Sequence, residues 1–286
     1  MEEWILNTVI RGLALGTPLV WAALGEVYAE RSGVVNLGVE GMMILGAIAA
    51  FALAQSTGHP YLGLLLAAGA GGAAALLHAF LVISLRANQY VSGLALTMFG
   101  LGLSALLGRR WEGLPLLATL PEISLLTYGG LALAVALWFI LYHTRWGILI
   151  RSAGEAPAAV DTMGVNVFLV RYLAVVFGGA LAGVGGGLLS VAYRPSWTEG
   201  MTVGLGWIAI AIAIFASWDP LRAVAGAFFF GALFHLSFRL QTWIPPEPLQ
   251  MMPFAFTILV LVLTAGRRGA QGAPEALGLP YVRGER

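Results

Sequence analysis

Carboxylates and amides set among apolar residues are the places where this chain of 286 residues could do chemistry. The run from Gly25 to Gly41 carries Glu26, Glu30, Arg31, Asn36 and Glu40 between Val, Leu and Gly residues. Glu40 lies inside the apolar stretch that follows. A carboxylate at full bilayer depth costs on the order of 2.5–3.5 kcal/mol, so Glu40 must face protein or water. Gly33, Gly38 and Gly41 permit a break in the helix there, and irregular backbone at membrane depth persists only where it is buried or lines a cavity. Two readings stand. The segment is a partly unwound element beside a solute path, with Asn36 and Glu40 as its polar groups; or it is a short turn with Glu26, Glu30 and Arg31 in water. Asn88 and Gln89, at the entry to another apolar stretch, offer amide donors and acceptors that lipid cannot satisfy. They would bind a solute or cap a helix.

The second region of interest runs from His143 to Arg171 and carries Arg145, Arg151, Glu155 and Asp161. Within it, Pro157 to Gly164 reads as a two-turn helix, with Pro at the first helical position and Gly just past the end. Glu155 sits near its positive N-terminal end. So short a helix needs a surface to lie on: either a groove on a cytoplasmic protein or the chain's own helix ends. A loop this long with its own helix is uncommon unless functional.

Other chemistry is excluded by composition. All 15 basic residues are Arg; without Lys there is no P-loop to hold ATP. Cys is absent, which removes disulfides, thiolate metal sites and a Cys nucleophile. His78 and His235 have no second ligand at the spacing a zinc site wants, and no G-x-S-x-G elbow is present. No catalytic, cofactor or metal residue is expected, and the chain is not expected to be an enzyme. A net charge of +1 gives no nucleic-acid footprint.

The elements that must position these residues follow from hydropathy. With 59% hydrophobic and 10% charged residues, against about 25% charged in soluble domains, lipid is the solvent for most of the surface. The expected fold is all-α, a polytopic bundle of about nine membrane helices, taking roughly 20 apolar residues per crossing. The spans lie near Trp4–Val27, Val34–Ala54, Tyr61–Leu85, Gln89–Leu107, Ile123–Tyr142, Tyr172–Tyr193, Met201–Ser217, Leu221–Phe238 and Leu249–Gly266. Residues 1–266 form the membrane domain, with the loop 143–171 in the cytoplasm, and residues 267–286 form a polar, loosely ordered cytoplasmic tail. With that orientation ten of the 15 Arg residues fall inside, as the positive-inside rule wants. The start Met1-Glu2-Glu3-Trp4 is acidic, so no cleavable leader is expected. The small-residue stripe Gly178 to Gly187 reads as a close helix contact.

At these segments the chain resembles a known family. Glu30-Arg31-Ser32-Gly33-Val34-Val35-Asn36-Leu37-Gly38-Val39-Glu40-Gly41-Met42-Met43 is similar to the early motif of permease subunits of bacterial ABC importers for simple sugars, nucleosides and branched-chain amino acids. Its Asn-Leu-Gly-Val-Glu-Gly wording is most like the nucleoside branch. Ala87-Asn88-Gln89-Tyr90-Val91-Ser92-Gly93 agrees. So does Arg151-Ser152-Ala153-Gly154-Glu155 through Asp161-Thr162-Met163-Gly164. The resemblance covers essentially the whole chain. It implies an ATP-driven importer in which this chain pairs with a second, related permease. A cytoplasmic ABC ATPase would bind the ATP, and an extracellular or periplasmic solute-binding protein would deliver a nucleoside or simple sugar. The implied location is the bacterial plasma (inner) membrane. Gly154, Glu155, Pro157, Asp161, Thr162 and Gly164 match the family's ATPase-coupling loop. The family often carries an acid just after the Pro, where this chain has Ala158, so an acid-based docking contact is not implied at that position. Asn36, Glu40, Asn88 and Gln89 are the candidates for the solute path. The alternative is a self-sufficient secondary transporter or channel. Against ion coupling, the spans starting near Tyr61, Gln89, Ile123, Tyr172 and Met201 carry no Asp, Glu or Arg.

Overall fold

The computed structural model describes residues 2–241, 243–265 and 272–283, with most side chains from residue 8 onward. Among the described residues eleven α-helices follow one another: α1 Glu2–Arg31, α2 Val39–Thr57, α3 Pro60–Ala79, α4 Gln89–Gly108, α5 Leu125–His143, α6 Arg145–Glu155, α7 Pro157–Thr162, α8 Val167–Leu188, α9 Leu205–Phe215, α10 Pro220–Leu240 and α11 Pro246–Ala265. A π-helical turn extends α3 over Phe80–Ser84 and another extends α8 over Leu189–Tyr193. Many of the helix starts are written locally. Asn88, Ser124, Thr144, Asn166 and Asp219 each accept a backbone N–H of the helix they precede; Pro60, Pro157 and Pro220 open theirs.

Helix α8 is the centre of the bundle, and its glycines let three helices approach it. A Cβ on Gly186 would lie 1.8 Å from the Met43 carbonyl oxygen of α2, and one on Gly183 would lie 2.2 Å from the Ala67 oxygen of α3. On α1, a Cβ on Gly25 would lie 2.3 Å from the Gly178 oxygen. Without a hydrophobic driving force between helices in lipid, such close approach is what holds them together. The opposite face of α1 packs on α10 in the same way, through Gly12, Gly16 and Gly231. Helices α4 and α5 lie outside this core and present Met98, Leu106, Leu125 and Val135 outward.

The all-helical bundle stands, but the expected nine spans are not confirmed. Among the described residues, seven helices are long and apolar enough to cross a membrane. The stretch read as Met201–Ser217 holds an 11-residue helix. The turns before it place Gly200 and Gly204 at φ 67° and 90°, where other residues rarely go, so helix cannot run through them. The ninth stretch overlaps α11, whose side chains are described only in part, and Gly266 lies outside the described residues. The loop 143–171 is mostly helix, because α6, capped by Thr144, and the early start of α8 take up much of it. The α1–α2 linker, α6, α7, residues 217–219 and residues 272–283 gather at one end of the bundle. Residues 112–122 and 194–200 meet at the other.

Candidate functional site

The linker 32–38 between α1 and α2 is irregular and nearly inaccessible: Ser32, Val34 and Asn36 are each at most 1% exposed. Water cannot satisfy its backbone, so side chains from neighbouring helices do. Val35 donates its N–H to Gln89 Oε1 at 2.7 Å, and Thr97 Oγ1 donates to the Leu37 carbonyl at 3.0 Å. His78 Nε2 lies 3.1 Å from the Val35 carbonyl and Nδ1 lies 2.9 Å from Ser92 Oγ. A carbonyl can only accept, so the ring proton belongs on Nε2 and Ser92 donates to Nδ1. Asn36 Nδ2 donates to Glu26 Oε2 at 3.1 Å. Leaving any one of these buried groups unpaired would cost about 1–3 kcal/mol. Gly93 lets α4 lie directly against the linker: a Cβ there would sit 2.8 Å from the Leu37 nitrogen.

Glu40, one residue into α2, explains itself through α9. Its Oε1 accepts from Thr202 Oγ1 at 2.6 Å, and its Oε2 accepts from the N–H groups of Gly204 and Gly206 at 3.0 and 2.9 Å. The N-cap of α9 is Gly204, which has no side chain. The open donors of that helix start therefore bond a carboxylate from another part of the chain, at the end of the helix dipole that favours negative charge. A Cβ on Gly206 would lie 2.5 Å from the Glu40 Cα, so the glycine is what admits the carboxylate. Glu40 and its partners are a fixed joint between a full-length helix and a half-length one.

Of the other sequence-selected polar residues, Asn88 is the N-cap of α4, accepting from Val91 N at 3.0 Å, while Gln89 is buried and reaches the linker. The structure thus brings Asn36, Glu40 and Gln89 onto the same folded linker and its flanks and leaves Asn88 in a capping position. Among the described residues, cavities lie elsewhere. A groove of about 810 Å³ between α2, α3 and α4 is lined by Leu45, Leu66, Leu77, Phe99 and Trp111, with Arg110 at one side. A cleft of about 280 Å³ before α9 is lined by Tyr193, Arg194, Thr198, Glu199, Met201 and Phe234. None of the four sequence candidates lines either. The sequence reading also passed over Thr202 and the lining of this cleft; its only signal was a short polar run, Arg194 to Gly200, between two apolar stretches.

At the coupling end, α7 is anchored through Val160, which packs with Ala153, Val167 and Val170. Its other face is open: Ala158, Ala159, Thr162 and Met163 are exposed, and Met163 is 68% accessible. Gly164 closes the turn at φ 82°. A shallow cleft between α6 and α7 is lined by Ile148, Arg151, Glu155, Ala159 and Met163. Gly154 abuts α1, since a Cβ there would lie 2.3 Å from the Arg31 carbonyl oxygen. Thr162 Oγ1 turns back to the Ala159 carbonyl at 2.8 Å. Glu155 and Asp161 are engaged by the tail. Glu155 Oε2 accepts from the Glu275 N–H at 3.1 Å. Asp161 accepts from Arg283, Nε to Oδ2 at 2.8 Å and Nη2 to Oδ1 at 2.5 Å. The Arg283 hydrogen bond holds the Asp161 carboxyl below its ordinary value.

Comparison with known proteins places this arrangement. A family model described as branched-chain amino acid transport system, permease component, matches residues 8–263. A guanosine ABC transporter permease protein of Bacillus subtilis is 37% identical over 99% of this chain and 98% of its own length. A nucleoside ABC transporter permease protein of Lactococcus lactis is 33% identical over 98% and 99%. A Haloferax volcanii protein, provisionally named as a glucose ABC transporter permease, is 42% identical over 83% of this chain and 78% of its own.

Proposed function

This chain belongs to the family of ABC transport-system permease components, and from that premise we propose that it forms, with a second permease, the membrane path for a nucleoside or a related simple sugar. The names of the relatives from Bacillus subtilis, Lactococcus lactis and Haloferax volcanii support that solute class. The observation that carries the mechanism is α7: a short helix fixed on one face by Val160 and open on the other through Ala158, Ala159, Thr162 and Met163. A cytoplasmic ABC ATPase would grip the open face and the cleft beside it. Force applied there reaches α1 where Gly154 meets Arg31, and α8 through Val167 and Val170. Since glycines bring the backbones of α1, α2 and α3 directly against α8 at Gly25, Gly186 and Gly183, the force tilts the bundle instead of bending one helix.

The opposite end, with the cleft of Tyr193, Arg194, Thr198 and Glu199, would receive the solute from a binding protein. Asn36, Glu40 and Gln89 serve the path by holding its broken helix, and Asn88 starts α4. In this reading the half-length α9 and α11 complete the eighth and ninth crossings of the bacterial plasma membrane. The chain performs no catalytic step and holds no cofactor.

The test is reconstitution in liposomes with an ABC ATPase, a second permease and a solute-binding protein from the same organism. Uptake of a radiolabelled nucleoside or sugar should require ATP, and deleting 157–163 should abolish it while the bundle stays folded. Uptake by this chain alone under a proton or sodium gradient would instead establish a secondary transporter.

A further inference from the structure

Residues 272–283 lie across the coupling end and touch α1, the α1–α2 linker, α6, α7 and α8. At the start, the Gly272 carbonyl accepts from Arg31 Nη1 at 3.0 Å. Ala276 donates its N–H to the Gly154 carbonyl at 2.8 Å, next to the Glu275–Glu155 contact, and Gly278 donates to the Gly33 carbonyl at 3.2 Å. Arg171, 3% exposed on α8, links both sides: Nη1 donates to the Leu279 carbonyl and Nη2 to the Ala153 carbonyl, each at 3.2 Å. The Tyr281 ring packs at 5.7 Å from Phe168, and Arg283 closes the series on Asp161.

Two features separate this segment from an ordinary tail. Its partners fall on both sides of α7, at Gly154 and Glu155 before it, and at Phe168 and Arg171 after it, with Asp161 on the helix itself. It also reaches the α1–α2 linker at Gly33, the segment whose polar groups are locked by α3 and α4. Backbone groups fix its first half, where position is independent of side-chain identity. A planar guanidinium bidentate on a carboxylate fixes its far end, the pairing that sets orientation as well as distance.

We propose that residues 272–283 are a strap that positions α7 against the α1–α2 linker, with Asp161 and Arg283 as its positioning pair, so that ATPase movement is delivered to the linker and not lost in the loop. The proposal rests on the reading of this chain as the permease of an ATP-driven importer. It assigns Asp161 an internal partner and leaves the exposed face of α7, with its small residues and Met163, for the ATPase.

The experiment has two readouts. Amide hydrogen exchange on the detergent-solubilised full chain tests the contact without reference to transport. Arg283→Ala should raise exchange across 157–163 by about two- to fivefold, the scale that one accessible charge pair supports. In the complete reconstituted complex, Arg283→Ala and Asp161→Arg should each lower solute moved per ATP hydrolysed while ATP turnover continues. The reversed pair, Asp161→Arg with Arg283→Asp, should recover most of the wild-type ratio. Unchanged exchange in Arg283→Ala overturns the strap. Raised exchange with a wild-type transport-to-ATP ratio, or a reversed pair no better than its single variants, overturns the positioning role. If the wild-type complex shows no ATP-driven uptake, the functional reading fails, and the exchange result still decides the contact.

Discussion

The α1–α2 linker and the α7 region are both non-spanning stretches between membrane helices, both carry polar groups, and they are built on opposite terms. In the linker the contacts of Val35 and Asn36, and those of Glu40 with Thr202 and Gly206, are buried. Val35 is bonded on both its N–H and its carbonyl, and Glu40 joins α2 to α9 by three bonds. In the α7 region the charged contacts stand at the surface, with the Arg283 side chain 69% exposed, and one buried residue, Val160, anchors the helix. Desolvation explains the contrast. A buried donor without a partner has no substitute, so its removal carries the full penalty. A surface pair exchanges with water at little net change. A transporter driven from outside needs both terms: a joint that keeps its shape and a handle that can shift.

The largest test of that contrast is Glu40→Ala. It leaves Thr202 and the first N–H groups of α9 without an acceptor, and at about 1–3 kcal/mol for each orphaned buried group the variant should lose at least ~3 kcal/mol, read as a large drop in melting temperature in detergent. An unchanged melt would mean the joint is not closed to water. Gln89→Leu removes one partner of Val35 and should cost about 1–3 kcal/mol in the same assay. At the other region, Asp161→Asn should leave the melting temperature where it is while raising amide exchange in α7; a drop as large as that of Gln89→Leu would erase the distinction between joint and handle. The smallest effect concerns pH. Because the Asp161 carboxyl lies below its ordinary value in the folded chain, its contribution is fully present above the unfolded value of about 3.9 and is lost as pH falls through the lower, folded value. Protection of α7 should therefore stay flat from neutral pH down to that point and then fall, and the Asp161→Asn variant should lack the step.

Much of the fold and part of the site are legible without coordinates, and the division is physical. Helix starts at Asn88, Ser124, Thr144, Asn166 and Asp219 depend on residues within a turn of one another. The prolines at 157 and 220 depend on nothing beyond their own ring. The Gly-rich stripe of α8 announces close packing because a missing side chain has that consequence against any neighbour. The break before α2 and the polar residues around it are equally local, as is the short helix from Pro157. The tail 267–286 reads as loosely ordered because it is polar and rich in Gly and Arg, features that weaken local structure but say nothing of distant partners, and its residues 272–283 find those partners at the coupling end.

The amino-acid sequence by itself determined that the chain is a helical bundle for lipid, that its backbone can break between Gly33 and Gly41, and that Glu40 must face protein or water and not lipid. Those requirements arise from the bonding needs of single residues and their immediate neighbours. Tertiary structure alone decided that the partner is the start of α9, more than 160 positions away, that α9 is half a span, and that Arg283 closes on Asp161. Which groups meet across such separations is set by how the helices pack, and packing is a property of the whole chain.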